Sequence, residues 1–298
     1  MNGIINIKKE KGYTSFDVVA KMRGILKMKK IGHTGTLDPD ATGVLPVCIG
    51  KATRVCDLLT DKDKVYETRM LLGRVTDTQD ITGQVLQENP VTVSVEQVKS
   101  CILSFVGNYE QIPPMYSALK VNGQKLCELA RKGIEVERKA RPVTIYDIEI
   151  LDVDIPYVSM RVHCSKGTYI RTLCDDIGQK LGCGACMAEL VRTRVADFML
   201  EDAVTLAQLE QAVTKNCLEE YVKPVDYVFA HCKEIVVREE FRKLLYNGNK
   251  LPVSCGCYEG EAEDGDRLRV YDAEKKFVGI YEYQAGEELL KPVKLFLE

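Results

Sequence analysis

Gly32-His33-Thr34-Gly35-Thr36-Leu37-Asp38-Pro39-Asp40-Ala41-Thr42-Gly43-Val44-Leu45-Pro46 follows Ile31 and runs into the apolar Val47-Cys48-Ile49. Glycines, threonines, a histidine and two carboxylates crowd together with neither a helical nor a strand period, which predicts a loop through Pro46. Pro39 disfavours the α region for Asp38 and has no N–H to donate, so the Asp38 carboxylate rides on a stiffened backbone. A stiff carboxylate suits covalent chemistry. Asp38 and Asp40 also read as ordinary turn formers. A Mg²⁺ site from the Asp-Pro-Asp pair is disfavoured, because such sites lean on substrate phosphates and scattered ligands.

The wording Gly32-His33-Thr34-Gly35-Thr36-Leu37-Asp38-Pro39, then Ala41-Thr42-Gly43-Val44-Leu45-Pro46, resembles the signature of the TruB family of tRNA pseudouridine synthases. The resemblance implies that Asp38 is the catalytic aspartate. His33 reads as a residue that holds the flipped-out RNA loop rather than a base, and a structural histidine is the other reading. The resemblance also implies an α+β fold, with a mixed, largely antiparallel central sheet flanked by helices and a small PUA-like β-barrel after it. The flanking sequence offers independent tests of that expectation.

Upstream, Ile4 to Ile7 predicts a short strand, and Thr14 or Ser15 can cap a helix burying Val18, Val19, Met22, Ile25 and Leu26. Its end is basic: Lys21, Arg23, Lys27, Lys29 and Lys30 fall within ten residues that hold no acid. That run suits phosphate contacts beside a site, and it equally suits a solvated helix face. The family usually opens with Lys-Pro-x-Gly-x-Thr-Ser; here Lys9-Glu10-Lys11-Gly12-Tyr13-Thr14-Ser15 lacks the proline.

Downstream, Lys64 to Gly73 alternates so that Tyr66, Thr68, Met70 and Leu72 share the more apolar face of a strand. A tyrosine there is ordinarily core. The resemblance, which extends through Thr76-Asp77-Thr78-Gln79-Asp80 to Gly83, implies that Tyr66 also stacks on the target base. Ser94 to Gln97 forms a capping box for a helix through Phe105. Gln111-Ile112-Pro113-Pro114-Met115-Tyr116-Ser117-Ala118-Leu119-Lys120 is again close to the family's wording. Between Lys120 and Arg141 stand seven basic and three acidic residues, with Gly123 and Gly133 around a short helix. In the family this region, here about 112–142, grips the tRNA, and Lys120 is expected among the substrate contacts.

Pro156 to Cys164 alternates cleanly as a strand, and Thr168 is expected to cap a helix with Ile170, Leu173, Cys174, Ile177 and Leu181 buried and Gly182 as its stop. Arg171 therefore falls in the first helical turn, where the helix dipole disfavours a cation by about 0.3–1 kcal/mol, so an anionic partner is expected. Ser165 to Leu173 matches a second family motif, which implies that Arg171 pairs with Asp38 and that Tyr169 lines the base pocket. Leu190-Val191-Arg192 matches a further one in which Leu190 touches the flipped base. Val195-Ala196-Asp197-Phe198, expected in a strand, replaces the family's glycine-containing run. Beyond Tyr227 the likeness thins. Short strands at 234–237, 267–271 and 276–281 predict a small β domain whose residues 254–298 carry eleven acids against six bases.

With 298 residues, two domains are expected, a catalytic one at 1–230 and a PUA-like one at 231–298. The formal charge of −3 supplies no global basic field, so an RNA site must be built from local clusters. Twelve cysteines at irregular spacing, no signal-peptide pattern and no bilayer-length apolar run predict reduced thiols in the cytoplasm. A zinc site from Cys183, Cys186, Cys255 and Cys257 is conceivable but disfavoured, and no metal is expected.

The expected function is isomerisation of uridine 55 in the tRNA T-loop by a monomer that needs no cofactor, no membrane and no obligate protein partner. Asp38 would serve as nucleophile or charge stabiliser, Arg171 would orient it and favour its ionised form, and Tyr66 would stack on the base. Guide-RNA-dependent modification of rRNA and tRNA-folding chaperone activity by binding alone are the alternatives.

Overall fold

The computed structural model describes residues 1–258 and 262–297; residues 259–261 and 298 of the expected C-terminal domain lie outside the described residues. The chain forms two compact units, one of residues 6–47 and 56–221, the other of 1–5, 48–55 and 222–298.

The larger unit is built on a sheet in which Thr42–Ile49, Ala185–Val195, Lys64–Leu72, Tyr157–Cys164, Arg141–Asp154 and Gly107–Gln111 are neighbours in that order. The last five pair antiparallel, and Thr42–Ile49 joins Ala185–Val195 in parallel. The architecture is the expected mixed, largely antiparallel α+β type. Alternation puts Tyr66, Thr68, Met70 and Leu72 on one face, opposite Val162 and Met160 and beside Leu190. That face packs on helices Val95–Leu103 and Ile170–Leu181 through Val98, Ile102, Leu173 and Ile177, all fully buried. Each such side chain contributes roughly 1.5–3 kcal/mol. The opposite face carries charge: Arg161 is ion-paired with Glu67 on one neighbouring strand and Glu149 on the other.

Four local expectations need correction. Thr42–Ile49 is a strand, not loop; from Gly43 on it is buried throughout, so no alternation marks it. The Val95–Leu103 helix stops before Phe105, because its last turn tightens to three-residue spacing, with Phe105 N–H bonded to Ile102 O at 3.1 Å. Thr168 does not cap the helix after it: its hydroxyl donates to Ser165 O at 3.0 Å, and Tyr169 stands at the cap without a side-chain bond. Ala196 is not in a strand but in a two-residue turn between paired Val195 and Phe198, at φ 48°, a left-handed conformation that glycine would adopt freely.

In the smaller unit, six strands run in the order Leu251–Pro252, Leu289–Leu295, Phe277–Gln284, Arg267–Tyr271, Lys233–Val237 and Gly256–Cys257. They curl into a half-barrel of PUA-like type around Ile235, Leu268, Val270, Tyr281 and Leu290. The Leu289–Leu295 strand escaped the sequence pattern because Pro292 interrupts it; Pro292 sits at a register shift, where a residue without an N–H is tolerated.

Gly43 meets the main chain of Arg192 so closely that an added Cβ would lie 2.2 Å from Arg192 O, at φ 108°. Gly43→Ala should therefore lose about 3 kcal/mol in urea unfolding, the sum of a left-handed penalty and overpacking against immobile backbone. Gly12→Ala, at φ 87° with nothing within 4 Å of the added Cβ, should lose only about 1 kcal/mol.

Candidate active site

Asp38 lies in the segment 34–41, between strands Ile31–His33 and Thr42–Ile49. Such a segment leaves backbone groups without ladder partners, and buried side chains supply them. Lys9, fully buried, donates from Nζ to Ala41 O at 2.6 Å, Pro39 O at 3.0 Å and Glu10 O at 3.1 Å. Burial lowers the Lys9 ammonium to about 8. Ser15 Oγ accepts from Leu37 N–H at 2.9 Å, and Gly12 N–H donates to Pro39 O at 2.9 Å. On the other flank Arg192, 1% exposed, donates from Nε to Val44 O at 2.8 Å and from Nη2 to Gly35 O at 3.3 Å. The backbone on both sides of Asp38 is thus held, while its side chain keeps 39% of its exposure.

The Ile170–Leu181 helix brings Arg171 to this carboxylate. Nε lies 2.9 Å from Asp38 Oδ2 and Nη2 lies 3.3 Å from Oδ1, a two-point fork. Nη1 donates to Thr78 O at 3.0 Å and Nη2 to Tyr116 O at 2.8 Å, and Asp80 Oδ2 stands 3.7 Å from Nη1. Two carboxylates and two carbonyls offset the cost of a cation at a helix N-terminus. Burial pushes the Asp38 carboxyl above its ordinary range and outweighs the opposing pull of Arg171, and the like charge of Asp80 adds to the rise. Asp80 is itself fixed, accepting from the hydroxyls of Thr78 at 2.8 Å and Thr82 at 2.6 Å.

Tyr66 is 8% exposed and faces Arg192 across the strand pair. Burial raises its phenol and the Arg192 guanidinium pulls the other way. It shares one apolar cluster with Leu37, Ile170 and Leu190, so the core reading of Tyr66 holds. Tyr169, half-buried, lies within electrostatic reach of Arg171 and Asp38, and burial raises its phenol too. His33 ends the strand leading into the segment; burial, then Arg192, lowers its imidazole below the usual range, which keeps it neutral at pH 7.

Six of the expected residues therefore converge: Asp38, Arg171, Tyr66, Tyr169, Leu190 and His33. Lys120 does not; it is exposed on a two-stranded hairpin, paired with Lys125. A cleft of about 930 Å³ between Glu67, Arg161, His163 and Arg194 holds none of them, because it opens on the other face of the same strands. Among the described residues no group of three or more His, Cys, Asp or Glu is arranged to hold a metal.

Lys9, Asp80, Gln111 and Arg192 belong to the cluster's surroundings and were given no role by sequence reasoning. Asp80 and Gln111 lay in quoted motifs without an assigned task. Lys9 lay in the family's opening motif and Arg192 in Leu190-Val191-Arg192, also without a task, and the three carbonyl partners of Lys9 are visible only in the fold.

The sequence matches the TruB family pseudouridylate synthase N-terminal domain over residues 23–170 and the tRNA pseudouridylate synthase B C-terminal domain over residues 171–230. It is 55% identical over 307 aligned residues, covering 100% of both chains, to the tRNA pseudouridine synthase B of Lachnoclostridium phytofermentans. The protein of the same description from Clostridium acetobutylicum is 49% identical over 99% of each chain. Among solved structures, a Cbf5–Nop10–Gar1 complex superposes with a TM-score of 0.75 at 28% identity, covering 99% of this chain and 85% of that one. An H/ACA RNP bound to a substrate RNA containing 2′-deoxyuridine gives 0.74 at 26%, with the same coverage. Whole-length identity of this order, with the aspartate and arginine brought together as the family wording implies, places the chain in the TruB family of pseudouridylate synthases.

Proposed function

We propose that this chain isomerises uridine to pseudouridine at position 55 in the T-loop of tRNA, with Asp38 as the catalytic carboxylate and no cofactor. The observation that carries the reading is the two-point Arg171–Asp38 fork, held on a pinned backbone beside Tyr66, Tyr169 and Leu190. The reaction breaks the N1–C1′ bond, turns the uracil, joins C5 to C1′, releases the C5 hydrogen to solvent and leaves a proton on N1. No electrons enter or leave. Asp38 attacks or stabilises the electron-poor centre, and Arg171 keeps its oxygens aimed. Tyr66 stacks on the extruded base, Tyr169 and Leu190 wall the pocket, and His33 holds the flipped-out loop; these contacts offset the few kcal/mol of unstacking.

Residues 1–230 form the catalytic domain in this reading and 231–298 the small PUA-like domain. The RNA backbone is held by two basic segments. Lys120, Arg131, Lys132 and Lys139 of the 112–142 insert are exposed and free of ion pairs among the described residues, as are Lys27, Lys29 and Lys30 before Ile31. The enzyme acts as a cytoplasmic monomer. Guide-dependent action on rRNA is the second reading; it draws on the likeness, at 26–28% identity, to the H/ACA and Cbf5 structures. The tRNA reading is preferred because relatives at 45–55% identity over the whole chain are described as tRNA enzymes.

Tritium release from a bare T-arm stem–loop carrying [5-³H]uridine separates these readings. Wild type should release it stoichiometrically, and Asp38→Asn should bind the same RNA and release none. Wild type that binds yet releases nothing would favour guide dependence or a chaperone.

Only ionised Asp38 can act, so the single-turnover rate should fall as pH drops through a pKa above 3.8, the value of an unperturbed aspartate. A rate flat down to pH 4 would contradict a raised Asp38 carboxyl.

Replacing Lys120, Lys132 and Lys139 by Gln should flatten the plot of log binding constant against log salt by about 0.7–0.9 per lost phosphate contact. An unchanged slope would remove the insert from the RNA site.

A further inference from the structure

Tyr169, at the N-cap of the Arg171 helix, makes no capping bond from its own side chain. A residue 58 positions earlier in the chain bonds the main chain of Tyr169 itself. Gln111, 1% exposed at the end of the Gly107–Gln111 strand, accepts from Tyr169 N–H at Oε1, 2.8 Å, and donates from Nε2 to Tyr169 O, 3.0 Å. The second Nε2 hydrogen goes to the Tyr109 hydroxyl, whose own hydrogen goes to Asp176 Oδ2 at 3.3 Å. Every donor in this chain has one acceptor, so the carboxamide is held in a single orientation. Among side chains of this length in their ordinary state at neutral pH, only an amide offers an acceptor and a donor side by side to grip both main-chain groups of one residue. Two residues on from Tyr169 lies Arg171.

We propose that Gln111 is a positioning residue for the isomerisation: its carboxamide fixes the main chain of Tyr169, and so aims the Tyr169 ring at the base pocket and the Arg171 guanidinium at Asp38. This rests on the function proposed above. Gln111 touches no reacting atom in that scheme, and its effect is exerted through Tyr169 and Arg171. A leucine would leave Tyr169 N–H without a partner and Tyr169 O with only its helical bond from Leu173 N–H at 3.0 Å. A glutamate would set a carboxylate against Tyr169 O, but a protonated glutamic acid could rebuild the fork, its O–H donating to Tyr169 O and its C=O accepting from Tyr169 N–H.

The test uses the full chain and a T-arm stem–loop carrying [5-³H]uridine, with Gln111→Leu and Gln111→Glu. The single-turnover rate, RNA dissociation constant and melting temperature of each are measured between about pH 6 and pH 8. Both variants should lose about tenfold or more in rate at pH 8, while affinity, set mainly by phosphate contacts, changes less than about threefold. The groups facing the fork are Tyr109 on its own strand, Asp176 and Arg171 on the helix, and Arg141 opposite it in the adjacent strand. Burial pushes Asp176 up to about 6, so each variant rate is divided by the wild-type rate at the same pH, which removes the titrations that variant and wild type share, and the Leu ratio reports any change in Asp176 that losing the carboxamide causes. The Glu ratio should then climb as pH falls and the Leu ratio should stay flat. A Leu variant with wild-type rate, or a Glu ratio that does not move with pH, overturns the proposal. If Gln111→Leu does not fold, the Glu ratio decides alone. Wild type that releases no tritium overturns the functional reading itself, whereas active wild type with unchanged variants overturns only the role of Gln111.

Discussion

A guanidinium at the N-terminal end of a helix works against the helix dipole, and the larger unit of this protein is arranged to hold one there. Arg171 keeps its place because two carboxylates and two main-chain carbonyls meet its N–H groups while only 6% of its side chain reaches solvent. Those four partners come from three separate segments, around Asp38, Thr78 to Asp80 and Tyr116. Each segment must therefore be positioned before the arginine is satisfied. The cost of leaving a buried charge unpaired makes the arrangement all-or-none.

The segment bearing Asp38 shows how such positioning is achieved without regular structure. Lys9 grips the carbonyls of Pro39 and Ala41, Ser15 takes the Leu37 N–H, and Arg192 takes the carbonyls of Gly35 and Val44. The donors are long, buried and cationic, which suits carbonyls that point in several directions. Gly43 lets the main chain of Arg192 pass against the strand at a distance no side chain would allow. The turn holding Asp80 is fastened in a related way, through Gln79, whose side chain bonds both Thr172 and Asp175 in the Arg171 helix.

Both faces of the central strands are used, for different purposes. The Tyr66 face buries apolar side chains against two helices and ends in the Asp38 cluster. The other face carries the Glu67–Arg161–Glu149 ion pairs and the contact of Asp63 with His163 and Arg194. Period-two alternation alone separates the two chemistries, so a one-residue slip of register would exchange them.

Much of this was legible in the chain. Alternation in Lys64–Leu72 and Tyr157–Cys164 revealed strands and their inner faces, the stripe from Ile170 to Leu181 revealed the helix, and its charge pattern alone called for an anion beside Arg171. The family wording pointed to Asp38 as that anion. Local pattern failed where burial is two-sided, as in Thr42–Ile49, and where a turn or cap is set by distant contacts, as at Ala196 and Tyr169. The sequence by itself determined the strands with clear alternation, the helices with an apolar stripe and the residue types of the Asp38 segment, because these follow from residue type and short-range spacing. Tertiary structure alone decided that Lys9, Gln111 and Arg192 are interior fasteners. A polar side chain reads the same in sequence whether it meets water or a carbonyl many residues away, and only packing chooses between them.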